Sequence, residues 1–193
     1  MLRALYDWTL KQARGRLAVP FLSFVSFIES SVFPIPPDVL LIPMVIANRA
    51  RWFFYGLVCT LASVAGAFLG YAIGAFLFDT IGQSILEFYG KADSFDKVAA
   101  WYNTYGGWGV LFAAITPFPY KVLTIFSGAT GLNLVTFAVV SVIGRGFRFF
   151  LISWLLGRYG APMQEFIEKR LGLLFTLFMI CLVGGFAALK FVF

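Results

Sequence analysis

An all-α integral membrane protein, with two proline-broken re-entrant helical hairpins in inverted repeat, is the fold class that three observations predict. The 193-residue chain is 61% hydrophobic and only 12% charged. A soluble domain is nearer half apolar and a quarter charged, because its surface must face water. Two apolar stretches are interrupted near their centres by clustered prolines. The two interruptions share a ten-residue pattern, and each precedes a long apolar span.

Residues 1–17 (MLRALYDWTLKQARGRL) set Leu2, Leu5, Leu10, Ala13 and Leu17 near one helical face, with Arg3, Lys11, Arg14 and Arg16 elsewhere. This is the pattern of an amphipathic interfacial helix. The segment has no apolar h-region and is not read as a cleaved leader.

Residues 18–193 read as one membrane domain, whose first repeat covers 18–78. Residues 18–48 are divided by Pro34, Pro36 and Pro37. The arms, Phe21 to Phe33 and Asp38 to Asn48, reach only about 20 and 16 Å against a hydrocarbon core of about 30 Å. Neither arm crosses alone, so a re-entrant hairpin is preferred to a kinked span. Trp52 to Phe78 carries no charge and is a transmembrane helix. Its Gly66, Gly70 and Gly74, spaced four apart, form a smooth strip for close helix approach, within the chain or across a homodimer.

Residues 79–106 carry Asp79, Glu87, Lys91, Asp93, Asp96 and Lys97 among aromatics and read as an interfacial helical linker. The second repeat covers 107–157. Pro117 and Pro119 break it within 107–131, and Asn133 to Gly157 is its long span. Residues 158–170 are a polar loop, and 171–193 form a C-terminal transmembrane helix, giving about three full spans.

The repeat is visible residue by residue. FPIPPDVLLI (Phe33 to Ile42) aligns with TPFPYKVLTI (Thr116 to Ile125) at a constant offset of 83, with five identities in ten. Apolar bias inflates the Val, Leu and Ile matches but not the paired prolines. Matched interruptions of this kind point to a transporter's binding site, and irregular backbone at membrane depth is tolerated only inside protein or beside a wet cavity. With the N-terminus inside, Arg and Lys number nine inside and three outside, whether the hairpins re-enter or span. The positive-inside rule thus favours a cytoplasmic N-terminus without choosing between those topologies.

Several function classes fall away. The chain has no histidine, which removes His-ligated haem, most catalytic zinc sites and His-based triads. Cys59 and Cys181 sit in apolar runs and read as packing residues. The net charge of +6 is scattered among apolar segments rather than gathered into a nucleic-acid groove. No nucleophile–base arrangement or metal-ligand spacing is recognisable, so no enzyme, metal or cofactor is expected.

Five ionisable residues fall where lipid should be: Glu29, Asp38, Lys121, Arg145 and Arg148. A charge at the bilayer centre costs roughly 2.5–3.5 kcal/mol on insertion scales, so these must pair or face water. By helical rise, Glu29 lies roughly 14 Å and Arg145 roughly 18 Å deep. Arg145 and Arg148 share one helical face by their i, i+3 spacing. Asp38 and Lys121 occupy matching repeat positions with opposite charge. A helix N-terminus favours the first and opposes the second. Static ion pairs that fix the hairpins are one reading. The other is that the acids titrate while the bases hold an anionic headgroup, since three cations against two acids leave one positive charge for a phosphate.

Glu29 followed by Phe33-Pro34-Ile35-Pro36-Pro37-Asp38 resembles the acidic, proline-rich first motif of the DedA family, which carries the VTT (SNARE-associated Golgi) domain. Gly66, Gly70, Tyr71 and Gly74 resemble its glycine-rich helix. Thr116-Pro117-Phe118-Pro119-Tyr120-Lys121, Gly128 and Ile143-Gly144-Arg145 resemble its second half, nearest the YqaA-like branch. The likeness covers about residues 20–160. It implies two re-entrant hairpins meeting inside a bacterial inner membrane and movement of phospholipid or polyprenyl phosphate between leaflets. It also implies essential acids at Glu29 and Asp38 and coupling to protons. The family's arginines do not carry over position by position: Lys121 stands one place late, and Arg145 and Arg148 lie further on in the span.

The function expected is therefore a flippase- or scramblase-like lipid transporter. Its partners would be membrane lipids with an anionic phosphate headgroup, and protons. A proton-coupled exporter of small cations or drugs, and a non-transporting scaffold or assembly factor, are the alternatives.

Overall fold

The computed structural model describes residues 17–31, 36–88, 90, 92–116, 119–160 and 162. The expected interfacial helix before Leu17, Pro34, Pro117 and the C-terminal span 171–193 lie outside them. The described residues are helical throughout, with no strand. In order they form α1 (Ala18–Glu29), α2 (Asp38–Ala47), a 3-10 turn (Arg49–Arg51) and α3 (Trp52–Leu77). A π-turn (Phe78–Gly82) carries α3 on into α4 (Gln83–Phe88), and α5 (Ala92–Ile115), α6 (Tyr120–Ala129) and α7 (Leu134–Tyr159) follow.

Local chemistry sets these boundaries. Pro37 precedes α2 and Pro119 precedes α6. Each can open a helix because a first-turn N–H has no intrahelical partner to lose. The carbonyls of Pro36 and Pro37 accept from Val39 and Leu40, closing the first turn of α2. Asn133 caps α7, its side-chain oxygen accepting from the backbone N–H of Val135 and Thr136, both at 3.0 Å. Gly160 ends α7 at φ +66°, a left-handed conformation that glycine adopts without a Cβ penalty.

Helix lengths sort the elements. α3 and α7 have 26 residues each, about 39 Å, enough to cross a hydrocarbon core of about 30 Å. By length and hydropathy, Arg49–Gly82 and Leu134–Tyr159 are the two candidate spans among the described residues. α1 and α2, with 12 and 10 residues, reach only about 18 and 15 Å. Each repeat delivers a ten-residue helix followed by a 26-residue helix: α2 then α3, and α6 then α7. α5 runs unbroken through residues 106 and 107. The linker from Ala92 onward and the first arm of the second broken segment are thus one helix.

α3 is the central element and packs against α1, α6 and α7, while α5 packs on α7. The short helices cross between repeats, α6 lying along α3 and α2 reaching α7. The glycine strip makes this approach possible within one chain. A Cβ at Gly66 would meet the Phe27 carbonyl of α1, and one at Gly74 the Ile125 carbonyl of α6. From the other side, a Cβ at Gly128 of α6 would meet the Tyr71 carbonyl of α3.

One apolar cluster joins α1, α2 and the ends of α3 and α7 around Leu22, Leu41, Met44, Cys59, Phe149 and Leu156. A second joins α5, α6 and the α3–α7 crossing around Ala67, Val110, Tyr120, Leu132 and Phe137. Cys59 is fully buried in the first of these clusters, the packing role its apolar run predicts. Polar groups lie inside: Ser30, Ser63, Thr124, Ser141 and Arg145 are buried, while Phe53, Leu61, Phe76, Val139 and Phe147 are exposed. Such an arrangement inverts that of a water-soluble domain and suits an apolar surround.

Candidate functional site

Arg145 and Arg148 stand one turn apart in the middle of α7. Arg145 is 1% exposed, so its guanidinium must be met by the protein from every side. Its Nη2 donates to the Glu29 carboxylate at the end of α1 and to Ser30 Oγ at 3.0 Å. Its Nε donates to Ser63 Oγ of α3 at 2.5 Å. The two serine hydroxyls also bond each other at 2.6 Å. Tyr120 and Phe149 place their rings 4.6 and 4.9 Å from the guanidinium carbon, a cation–π contact on two aromatic surfaces.

Arg148 is the second centre. Its Nη2 donates to Asp38 Oδ2 in the first turn of α2, and its Nη1 donates to the Thr116 carbonyl just past α5 at 3.2 Å. Asp38 Oδ1 is buried without a hydrogen-bond partner among the described residues. Side-chain exposure is 18% at Glu29, 20% at Asp38 and 17% at Arg148.

Six segments thus meet at two guanidinia: the ends of α1 and α5, the starts of α2 and α6, and the middles of α3 and α7. The proline-opened helix starts matter here. Pro37 puts Asp38 in the first turn of α2, where the helix dipole favours a carboxylate. Pro119 puts Tyr120 at the start of α6, beneath Arg145. One cross-brace ties the breaks together, since Thr124 Oγ1 of α6 donates to the Ser30 carbonyl at 3.1 Å across 94 positions. That carbonyl lies at the end of α1, where no intrahelical donor reaches it.

Of the five charges singled out in the sequence, the structure joins four as two pairs, Glu29 with Arg145 and Asp38 with Arg148. Lys121 is half-buried in the first turn of α6 and makes no ion pair among the described residues. Pro36, Pro37 and Pro119 flank the pairs. Sequence reasoning missed Ser30, Ser63, Thr124 and Tyr120. Their signal was hydroxyls placed on otherwise apolar helices, which need buried partners. The site offers guanidinium forks with hydroxyl donors, a set suited to a carboxylate or phosphate. No cluster of three or more metal-ligating His, Cys, Asp or Glu exists among the described residues.

A VTT domain matches residues 35–158, which takes in α2 through α7. A Haemophilus influenzae protein, itself uncharacterized, is 35% identical over 168 residues, covering 85% of this chain and 87% of that one. A Histophilus somni relative is 36% identical with the same coverage. The undecaprenyl phosphate transporter A of Staphylococcus aureus is 26% identical over 145 residues, 70% of each chain. No solved structure matches. The domain match covers well over half of the chain, and the two nearer relatives align along most of it. The chain therefore belongs to the VTT-domain (DedA) family of membrane proteins.

Proposed function

We propose that the protein moves an anionic, phosphate-bearing lipid between leaflets, with the Glu29–Arg145 and Asp38–Arg148 pairs as the polar station on its path. The observation that carries this reading is the placement of two adjacent ion pairs at mid-span, flanked by two proline-opened helix starts. Ionisable groups inside a membrane bundle are retained at a cost and mark substrate or ion pathways. Lys121, without an ion pair among the described residues, leaves one positive charge over, which suits a phosphate. The name of the S. aureus relative, a transporter of a polyprenyl phosphate, supports the same ligand class.

On this reading α1–α2 and the end of α5 with α6 are re-entrant hairpins, related as an inverted repeat. Their crossing, α6 on α3 and α2 on α7, supports that arrangement. Arg49, Arg51 and Arg158 lie where α3 starts and α7 ends. By the positive-inside rule this end faces the cytoplasm of a bacterial inner membrane, the N-terminus with it.

The test is leaflet exchange of fluorescent phospholipid and of polyprenyl phosphate in proteoliposomes, with and without a pH gradient. Wild type should exchange at least one, and Asp38→Asn and Arg148→Lys should lose most of that exchange while eluting as folded protein. Exchange undiminished in both variants would overturn the reading. The two closed pairs also suit a static clamp in a non-transporting scaffold. Folded wild type without exchange, with variants that lose only stability, is the outcome that reading expects.

A further inference from the structure

Away from the buried pairs, the start of α3 and the end of α7 enclose a groove of about 340 Å³ lined by Arg49, Ala50, Trp52, Trp154, Gly157 and Arg158. That is within the size range of small-ligand sites, about 300–1,000 Å³. The walls are fitted rather than incidental. The Trp52 side chain lies over Gly157, where an added Cβ would come within 2.9 Å of it. The Arg49 guanidinium lies over Gly160, where a Cβ would collide with it. Two small residues at the end of α7 thus make room for an indole and a guanidinium from the chain leading into α3.

The chemistry of this groove is one-signed. Arg49 and Arg158 are exposed and have no carboxylate partner among the described residues. Neither belongs to the Glu29–Arg145 or Asp38–Arg148 pairs. Below the groove, Phe53 (56% exposed), Leu151 (41%) and Trp154 (46%) continue into the apolar outer surface of α3 and α7. The groove therefore stands where an apolar belt meets a basic rim. Tryptophan prefers that level because its ring is apolar while its N–H is polar.

We propose that this groove is a binding site for the headgroup of an anionic phospholipid. The phosphate would lie between the Arg49 and Arg158 guanidinia, the glycerol against Trp52 and Trp154, and the acyl chains along the exposed faces of α3 and α7. Charge complementarity selects the occupant: two guanidinia with no carboxylate partner among the described residues call for an anion, and the adjoining apolar belt calls for one with acyl chains. A free phosphate would gain nothing from the tryptophans.

The experiment compares full-length wild type with Arg49→Gln/Arg158→Gln in mixed micelles carrying phosphatidylglycerol and phosphatidylcholine. Bound lipid is counted by native mass spectrometry. Wild type should prefer phosphatidylglycerol by about five- to 25-fold, from roughly fivefold per interfacial arginine. The double variant should lose most of that preference, and Arg49→Lys/Arg158→Lys should keep part of it. Brominated phosphatidylglycerol should also quench a variant retaining only Trp52 and Trp154 more than brominated phosphatidylcholine does. Equal binding of the two lipids, undiminished preference in the double variant, or displacement by millimolar inorganic phosphate would each overturn the proposal. Asp38→Asn should keep the quenching of Trp52 and Trp154 by brominated phosphatidylglycerol, so loss of leaflet exchange and loss of this site are separately readable.

Discussion

Replacing Glu29 by Gln keeps the shape of the site and removes one charge, leaving Arg145 ionised and 1% exposed. Breaking a buried pair by deleting one partner costs about 3–5 kcal/mol, because the remaining ion is uncompensated. The lower end applies here, about 3 kcal/mol. Arg145 keeps its bonds to Ser63 and Ser30 and its two aromatic neighbours, and the new amide oxygen can still accept from Nη2. At about 1.4 kcal/mol per tenfold, that is a shift of roughly 100-fold in the unfolding equilibrium. Removing both ions should be gentler. In Glu29→Leu/Arg145→Met the two serines still satisfy each other at 2.6 Å, so neither of them is orphaned and neither ion of the pair is left behind. Apolar replacement of a whole buried pair is often neutral or stabilising. The double variant should therefore be more stable than Glu29→Gln. Reversible SDS titration in mixed micelles, followed by circular dichroism, reads both. A Glu29→Gln protein within about 1 kcal/mol of wild type, or a double variant no better than the single, would refute the reasoning.

Two further predictions concern the scaffold. Gly74→Ala should destabilise by about 1–3 kcal/mol or more, since its Cβ would strike the Ile125 carbonyl and force α6 off α3. Gly146→Ala should be neutral or slightly stabilising, its nearest neighbour being Thr60 Cγ2 at 3.7 Å; equal effects in the same titration would remove the close α3–α6 approach from the account. Asn133→Ala should cost about 1 kcal/mol through loss of the α7 cap, and Asn133→Asp should restore it.

What the sequence could say about this fold was carried by composition and spacing. Trp52 to Phe78 was legible because a charge-free run of that length has few other readings, and α3 occupies it almost end to end. The breaks were legible because proline cannot sit inside most helices, and Pro37 and Pro119 do stand before α2 and α6. Pro43 shows the limit of that rule, lying buried inside α2 and marking no boundary. The continuity of α5 was hidden by charge: its polar first half looks like a linker although it belongs to the same helix as Ile115. The partner of the glycine strip was not legible, because smoothness says that something approaches and not what; α1 and α6 do. In the site, the four charges announced themselves by cost. The pairing did not, since Glu29 and Arg145 are 116 positions apart and Asp38 and Arg148 are 110 apart. Ser30 and Ser63 were lost in a crowd of hydroxyls that looks alike in sequence.

The two arginines differ in a way that bears on how a headgroup would use them. Arg145 is sealed, donating to Glu29, Ser30 and Ser63 and covered by two rings. A ligand reaching it must first displace that whole shell. Arg148 is 17% exposed beside an Asp38 that is 20% exposed, and its other contacts are one backbone carbonyl and a ring 5.9 Å away. An incoming phosphate could exchange with Asp38 there, one oxyanion for another, so the guanidinium never loses its counter-charge. That exchange keeps Arg148 compensated, and the displaced Asp38 carboxylate, 20% exposed, is the ion that must then be met by water. Asp38 Oδ1, buried without a hydrogen bond among the described residues, makes this carboxylate the easier of the two acids to displace. In the proposed path Arg148 is therefore the group that meets the lipid. Arg145 keeps α1, α3 and α7 in register while the exchange takes place.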